Sequence, residues 1–255
     1  MFVAKIGQNG KKFVDLDSVQ PVFHATNGNS KTGPAGNYNL PIEYTCRHDC
    51  ECYKLGRCYA CQGCYLFLDN QALYSENYKY YKVNTAETLA QAIVCYIDEN
   101  NLKLFRYFTC GDIPGAKFMD AVVIAAAARP NVKFWLYTKK YHIVNKYLDD
   151  NGADVIPGNV SIIFSHWMND DGSYFPMDNP YGFATSEFIP LGQEELTEQV
   201  THVCPCSDPT VKATCATCDH PCYDLKRGES MALLEHSTKR TKARDKAIKA
   251  AKAAL

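Results

Sequence analysis

Three strand-like segments recur at nearly equal spacing through the middle of the chain. They begin at residues 102, 132 and 160, which are 30 and 28 residues apart, and helical patterns fill residues 114–128 and 139–149 between them. Such alternation of strands and helices is typical of βα units and a parallel sheet. We therefore predict an α/β fold, either a parallel barrel or a doubly wound sheet.

Local sequence patterns also predict the structure of the segments before these units. Residues 85–99 are predicted to form a helix with Thr85 as its N-cap. The first 44 residues are rich in Gly, Asn and Pro, which predicts short strands and a long loop over residues 27–36. That loop is either a surface connection or a ligand-binding loop. A length of 255 residues suits one main core.

Cysteine is the compositional outlier, with 13 residues in the chain. The start lacks the apolar core of a signal peptide, and the longest aliphatic run is too short to span a membrane. We therefore expect a cytoplasmic protein without membrane contact, in which cysteines bind metals more often than they pair. Eleven of them form two groups: Cys46, Cys50, Cys52, Cys58, Cys61 and Cys64, and then Cys204, Cys206, Cys215, Cys218 and Cys222. Cys95 and Cys110 lie outside both groups, and Cys95 is expected to be a packed apolar thiol.

The first group contains three thiols spaced by two residues each, Cys58, Cys61 and Cys64. Thiolates this close along the chain can converge on one iron-sulfur cluster. Three protein ligands on a four-iron cluster leave one iron open to a substrate or cofactor. Cys46, Cys50 and Cys52 are near enough to add or replace a ligand, so the ligand order is open.

The second group provides enough thiolates for a fully ligated site. A second four-iron cluster and a four-thiolate zinc site both fit this spacing. His220 is either a zinc ligand or a neighbour of the site. A zinc knuckle that attaches the C-terminal region to the main fold is the purely structural interpretation.

Several short motifs resemble a known family. They are the segments 29–34, 45–46, 61–65, 105–112 and 137–139, together with Cys215-x2-Cys218-x3-Cys222. In this order they are similar to the phage family called gene product eighty-eight, over roughly residues 29–222. A cysteine loop before βα units also resembles the radical S-adenosylmethionine (SAM) enzymes. The usual C-x3-C-x2-C triplet of those enzymes does not occur, since Cys46-x3-Cys50 is followed by Cys52.

The resemblance implies an incomplete parallel (β/α) barrel of radical-SAM-like type. It also implies a four-iron cluster on the first cysteine group, SAM as a cofactor, and a reductant such as flavodoxin or ferredoxin. Radical SAM enzymes place a glycine-rich motif ending in an acid after the next strand, and Thr109, Gly111 and Asp112 occupy that place. Asp112 is interpreted either as the acceptor of the methionine ammonium or as the N-cap of the helix near Pro114.

Other candidate groups stand at or near the ends of the same strands, where parallel barrels carry their active sites. Tyr137 and Ser165 are candidate cofactor contacts, and Arg106, Lys139 and His166 are candidate catalytic groups. Tyr137 is otherwise a packed aromatic residue, and His166 a structural histidine. Arg106 lies within a strand, where a charge needs a partner, so a buried ion pair or a ligand contact is expected.

Three regions are predicted: a partial barrel over 1–200, a cysteine-rich metal-binding region over 201–237, and a basic helical tail over 238–255. The tail carries seven basic residues against one acidic residue, while the whole chain has a net charge of -1. Nucleic-acid binding by the tail is one interpretation, and a solvated helix is the other.

Three functions follow from these patterns. The first is an iron-sulfur enzyme resembling radical SAM enzymes, with a second cluster on the C-terminal cysteines and an unknown substrate. The second is a zinc-stapled, non-catalytic module that binds nucleic acid or a host protein. The third is an iron-sulfur protein that transfers electrons or senses redox state.

Overall fold

The computed structural model describes residues 2–7, 10–54, 58–167, 173–189, 200–207 and 211–234. The basic tail predicted for residues 238–255 lies outside these ranges. Within them the strands are β1 (Ala4–Ile6), β2 (Lys12–Val14), β3 (Gly36–Tyr38), β4 (Leu104–Tyr107), β5 (Lys133–Thr138), β6 (Val160–Trp167), β7 (Ala184–Ile189), β8 (His202–Val203) and β9 (Ser230–Leu234). The α-helices are α1 (Ile42–Thr45), α2 (Glu51–Lys54), α3 (Leu68–Val83), α4 (Ala86–Glu99), α5 (Ala116–Ala128) and α6 (Tyr141–Asn151).

Seven strands form one sheet in the order β3-β4-β5-β6-β7-β9-β8, and every neighbouring pair is parallel. The α/β class and the parallel sheet are therefore confirmed. The two edge strands, β3 and β8, do not pair with each other, so no closed barrel is formed by the described residues. β1 and β2 form a separate antiparallel hairpin.

The predicted βα units are confirmed with small shifts at their ends. The helix expected over 85–99 is α4, and the side chain of its N-cap Thr85 accepts a hydrogen bond from Thr88 N. The strand expected from residue 102 begins at Leu104 and ends at Tyr107, because Phe108 turns the backbone with a φ of 62°. No helix among the described residues is long and apolar enough to cross a bilayer.

The sheet has two differently covered faces. On one face, here called the helix face, the aromatic side chains of β4, β5 and β6 pack with buried residues of α4 and α5, such as Ile93 and Phe118. On the other, the cysteine face, Trp135, Ile163 and Met231 pack with the segment that carries Cys222. The predicted boundary near residue 200 does not divide the sheet, because β8 and β9 lie beyond it and pair within it.

Candidate functional site

The first cysteine group lies beside the carboxyl end of the sheet. Cys46 follows α1 as its C-cap. Cys58 precedes a short 3-10 turn that ends at Cys61, and Cys61 N donates to Cys58 O at 2.8 Å. We define Cys46, Cys50, Cys58, Cys61, Cys64 and Cys110 as the N-terminal thiol set. Cys50, Cys61 and Cys110 are buried and Cys64 is exposed. The side chain of Cys52, a predicted ligand, lies outside the described part of the molecule.

The thiols of this set influence one another. A hydrogen bond from the Cys61 thiol and the positive charge of Lys139 outweigh burial and lower the pKa of Cys58 to about 7. Burial raises the pKa of Cys46 well above its ordinary value, and the negative charges of Asp112, Cys58 and Cys110 add to the rise. The charged groups that follow β4 and β5, Asp112 and Lys139, therefore act on the thiols of this set.

Cys110 was not among the predicted metal ligands, although it follows β4 at that end of the sheet. It is buried, and burial followed by the charge of Cys58 raises its pKa. The signal that identifies it is its position: a cysteine directly after a parallel strand lies at the edge where active sites form.

The glycine-rich segment after β4 is held by an asparagine that the sequence patterns did not single out. Oδ1 of Asn39 accepts hydrogen bonds from Thr109 N and Thr109 Oγ1, both at 2.8 Å, and from Cys110 N at 3.0 Å. Gly111 has a φ of 93°, and a Cβ there would lie 2.4 Å from Leu40 O. The segment therefore needs glycine at this position.

Asp112 joins the ends of two neighbouring strands. Its Oδ1 accepts from Thr138 Oγ1 at 2.6 Å and from Ile113 N at 2.7 Å, and its Oδ2 accepts from Lys139 N at 3.0 Å. Burial raises its pKa, and these hydrogen bonds oppose the rise. The N-cap interpretation of Asp112 is wrong, because α5 begins at Ala116 with Gly115 as its N-cap.

Lys139 and His166 have separate surroundings. Nζ of Lys139 lies 4.8 Å from the centroid of the Trp167 ring. The ring of His166 stacks on Tyr174 at 4.4 Å, and burial lowers its pKa although Glu187 and the Phe175 backbone oppose this.

Ser165 contributes a backbone group, since its carbonyl oxygen accepts a hydrogen bond from the hydroxyl of Tyr141. Of the predicted site residues, the fold thus brings Thr109, Gly111, Asp112 and Lys139 together at the N-terminal thiol set.

The second cysteine group forms the C-terminal thiol set, Cys204, Cys206, Cys215, Cys218 and Cys222. The thiol of Cys206 hydrogen-bonds with the thiols of both Cys204 and Cys215. These contacts are the largest cause that lowers the pKa of Cys204 to about 6 and that of Cys215 to about 7. Burial raises the pKa of Cys222 to about 12. The two lowered values mark thiols that lose their protons readily, as metal ligands do.

Residues 29–33 support this set from the other end of the chain. Asn29 Oδ1 accepts from Lys31 N at 2.8 Å and from Thr32 N at 3.0 Å, which closes a tight turn. Lys31 O then accepts from Cys215 N at 2.9 Å. The loop is therefore more than a surface connection, since it holds the backbone that carries a thiol.

Tyr137 and Arg106 extend from the sheet toward the C-terminal thiol set. The hydroxyl of Tyr137 donates to Cys222 Sγ at 2.7 Å, and the guanidinium of Arg106 lies 5.1 Å from the Tyr137 ring centroid. No ion pair between Arg106 and a carboxylate occurs among the described residues, so the expected buried ion pair is not found there. Nη2 of Arg106 lies 3.4 Å from Phe108 O.

His220 stacks on His202 with ring centroids 4.2 Å apart. Cys95 is exposed, so its prediction as a packed thiol is wrong. It occupies the solvent side of α4, where Gln91 Nε2 lies 3.1 Å from its sulfur.

The thiols are gathered but do not converge on a single point. Among the residues that the structure describes, no three or more His, Cys, Asp or Glu side chains form a group that could hold a metal ion. Two observations nevertheless fit a thiolate-bound metal at the C-terminal set. The thiol of Cys206 interacts with those of Cys204 and Cys215, and the buried N–H groups of Arg106 Nε and Trp135 Nε1 on the same face lack hydrogen-bond partners in the described structure.

The family model of gene product 88 matches residues 7–183. No curated protein and no solved structure matches. The matched region includes β3 to β6 and the N-terminal thiol set, and it covers more than half of the chain. The chain belongs to the gene product 88 family.

Proposed function

We propose that the protein is an iron-sulfur protein of radical-SAM-like architecture, with cysteine thiolates as its metal ligands. The observation that carries the proposal is the gathering of thiols from distant parts of the sequence at two places on one parallel sheet. Thiolates are the ligands preferred by iron-sulfur clusters and by zinc. A reducing compartment such as a host cytoplasm would keep these thiols free to bind.

At the N-terminal set, Cys58, Cys61 and Cys64 would hold a four-iron cluster, with Cys46, Cys50 and Cys110 as further donors. The lowered pKa of Cys58 supports this role, because a ligating cysteine must lose its proton. The charge of Lys139 next to it favours the thiolate. When bound, such a cluster supplies one-electron chemistry, for which a flavodoxin or ferredoxin would be the electron donor.

The segment after β4 would receive SAM beside this cluster. Asp112 provides a buried carboxylate at the carboxyl end of the sheet, and Thr109 and Gly111 fix the backbone around it. An anion in this place suits the ammonium of the methionine moiety. The open edge between β3 and β8 is compatible with an incomplete barrel.

At the C-terminal set, Cys204, Cys206 and Cys215, with Cys218 or Cys222, would hold a second metal centre. The contact of Cys206 with two other thiols supports this assignment. Either a four-iron cluster or zinc suits a four-thiolate site. In both cases metal binding would stabilise the fold, because these residues pack between the sheet and residues 29–33.

The test is anaerobic purification followed by EPR of the reduced protein with and without SAM. An iron-sulfur signal that shifts when SAM is added supports the proposal. Asp112→Asn should keep the signal and lose the shift, whereas Asp98→Asn, which changes an exposed carboxylate of α4 that pairs with Arg129, should keep both. An iron-sulfur EPR signal that does not change when SAM is added would favour electron transfer or redox sensing. A protein that contains zinc and no iron would favour the zinc-stapled, non-catalytic module.

A further inference from the structure

Three neighbouring strands place polar side chains side by side on the cysteine face. The parallel register pairs Asn37 of β3 with Arg106 of β4, and Arg106 with Trp135 of β5. Each of these residues has a buried polar atom without a hydrogen-bond partner in the described structure: Asn37 Oδ1, Arg106 Nε and Trp135 Nε1. Buried polar atoms are rarely left unpaired in native proteins. The two unpaired donors, Arg106 Nε and Trp135 Nε1, therefore indicate a missing acceptor.

The row adjoins the C-terminal thiol set. Trp135 belongs to the same apolar cluster as Cys222, and its ring lies 5.4 Å from that of Tyr223. Arg106 lies against the Tyr137 ring, and the Tyr137 hydroxyl in turn contacts Cys222 Sγ. The positive charge of Arg106 opposes the burial that raises the pKa of Cys222, and it adds to the Cys206 hydrogen bond that lowers the pKa of Cys215. The guanidinium is therefore within electrostatic reach of both thiols.

A guanidinium in this position needs an anion. The described residues offer it no carboxylate, and the ionisable groups around it are the hydroxyls of Tyr59 and Tyr137 and the thiols of Cys215 and Cys222. Two unpaired N–H donors and a fixed positive charge match the needs of metal-bound sulfur, which is anionic and accepts hydrogen bonds.

We propose that Arg106 is the charge partner of the C-terminal thiol set and that Arg106 and Trp135 donate hydrogen bonds to its sulfurs when Cys215 and Cys222 bind a metal as thiolates. This inference rests on the proposed function, because it requires a metal at that set. It assigns Arg106 a positioning role at the C-terminal centre instead of a catalytic role. It also gives a reason for an arginine within a strand that has no acidic partner among the described residues.

The experiment is a titration of the full-length, metal-free protein with Co²⁺ under reducing conditions, followed through the sulfur-to-cobalt charge-transfer band. The signal of the C-terminal set is identified by subtracting a Cys204→Ala/Cys215→Ala variant. Competition with a chelator then gives the affinity. Arg106→Met should weaken binding at this set by about 10- to 100-fold, the range that removal of supporting groups around a metal usually costs. Arg106→Lys should recover part of the loss.

Two controls separate this effect from unfolding. Arg129→Met removes an arginine that pairs with Asp98 at the surface, and it should leave the affinity unchanged. Trp135→Phe keeps the buried ring and removes only its N–H, so it should weaken binding less than Arg106→Met while the circular dichroism spectrum stays the same. This variant keeps the test valid if Arg106→Met does not fold.

The outcomes distinguish the two proposals. If the wild-type protein gives a charge-transfer band at the C-terminal set and both Arg106→Met and Trp135→Phe bind Co²⁺ with wild-type affinity, the role of Arg106 and Trp135 is overturned while the metal site stands. If the wild-type protein binds no Co²⁺ through these cysteines, both the proposed metal centre and the role of Arg106 are overturned.

Discussion

The hydroxyl of Tyr137 on β5 donates a hydrogen bond of 2.7 Å to Sγ of Cys222, 85 residues further along the chain. This contact joins the middle of the parallel sheet to the C-terminal thiol set. It also explains why Tyr137 faces the cysteine face, where its ring meets Arg106. A tyrosine that can also be interpreted as a packed aromatic residue thus connects the sheet to a thiol.

We expect Tyr137→Phe to lower the free energy of unfolding of the metal-free protein by about 0.5–1.5 kcal/mol, the usual net value of one hydrogen bond. Urea denaturation measures the change. Tyr181→Phe is the matched control, because the hydroxyl of Tyr181 contacts Asp149 at the surface and should contribute less. Equal effects of the two variants would contradict the special role of the Tyr137–Cys222 contact.

We expect that replacing Gly33 destabilises the protein for two reasons: its backbone conformation and its close approach to Thr214. Its φ is 68°, and a Cβ there would lie 2.8 Å from Thr214 Oγ1, next to Cys215. Gly182 has a φ of 65°, and no atom in the described part of the chain lies within 4 Å of such a Cβ. Both Ala variants carry the left-handed backbone cost of about 1–2 kcal/mol. The melting temperature should fall further for Gly33→Ala than for Gly182→Ala. Equal decreases would mean that the loop does not pack closely against residue 214.

Asp112→Asn should destabilise the protein by about 1–3 kcal/mol, because an amide cannot accept every hydrogen bond that the carboxylate receives from Thr138 and Lys139. Asp224→Asn is the control, since Asp224 forms an exposed pair with Lys133 whose loss should cost less than about 1 kcal/mol. Chemical denaturation compares them. An Asp112→Asn variant with the free energy of unfolding of the wild type would show that the carboxylate does not join the strand ends.

His166 should make stability depend on pH. Burial lowers its pKa below the ordinary value of 6.5, so the unfolded chain takes up a proton at a higher pH than the folded protein. The stabilisation is therefore present above pH 6.5 and decreases as the pH falls through 6.5 toward the folded pKa. Melting temperatures measured between about pH 7.5 and about pH 5.5 should fall less steeply for His166→Gln than for the wild type. Parallel curves would exclude this role.

Much of the central fold could be predicted because its signals are local. The segments that became β4, β5 and β6 alternate with α5 and α6 at a spacing that few architectures share. Thr85 caps α4 as a threonine before a helix is expected to do. Local signals do not report which strands pair, and so the insertion of β9 between β7 and β8 was not foreseen.

The sequence predicts the cysteine groups of the candidate sites, but not which residues contact them in the folded protein. Spacing alone could not show that Cys110 lies near Cys58, or that Lys31 O binds Cys215 N, because these contacts join residues far apart in the chain. It also could not give Asp112 its partners on β5, which depend on sheet register. The error at Cys95 has a simple cause, since a single thiol on an amphipathic helix can occupy either side.

The central claim is that both thiol sets bind metal, and metal content per chain tests it most directly. The protein is purified anaerobically, and iron, zinc and sulfide are measured for the wild type, for Cys58→Ala/Cys61→Ala/Cys64→Ala and for Cys215→Ala/Cys218→Ala. We expect each variant to lose one part of the wild-type metal and to keep the other, with a lower melting temperature when Cys215 and Cys218 are replaced. A wild-type protein that remains metal-free after anaerobic reconstitution, or variants with unchanged metal content, would contradict the account.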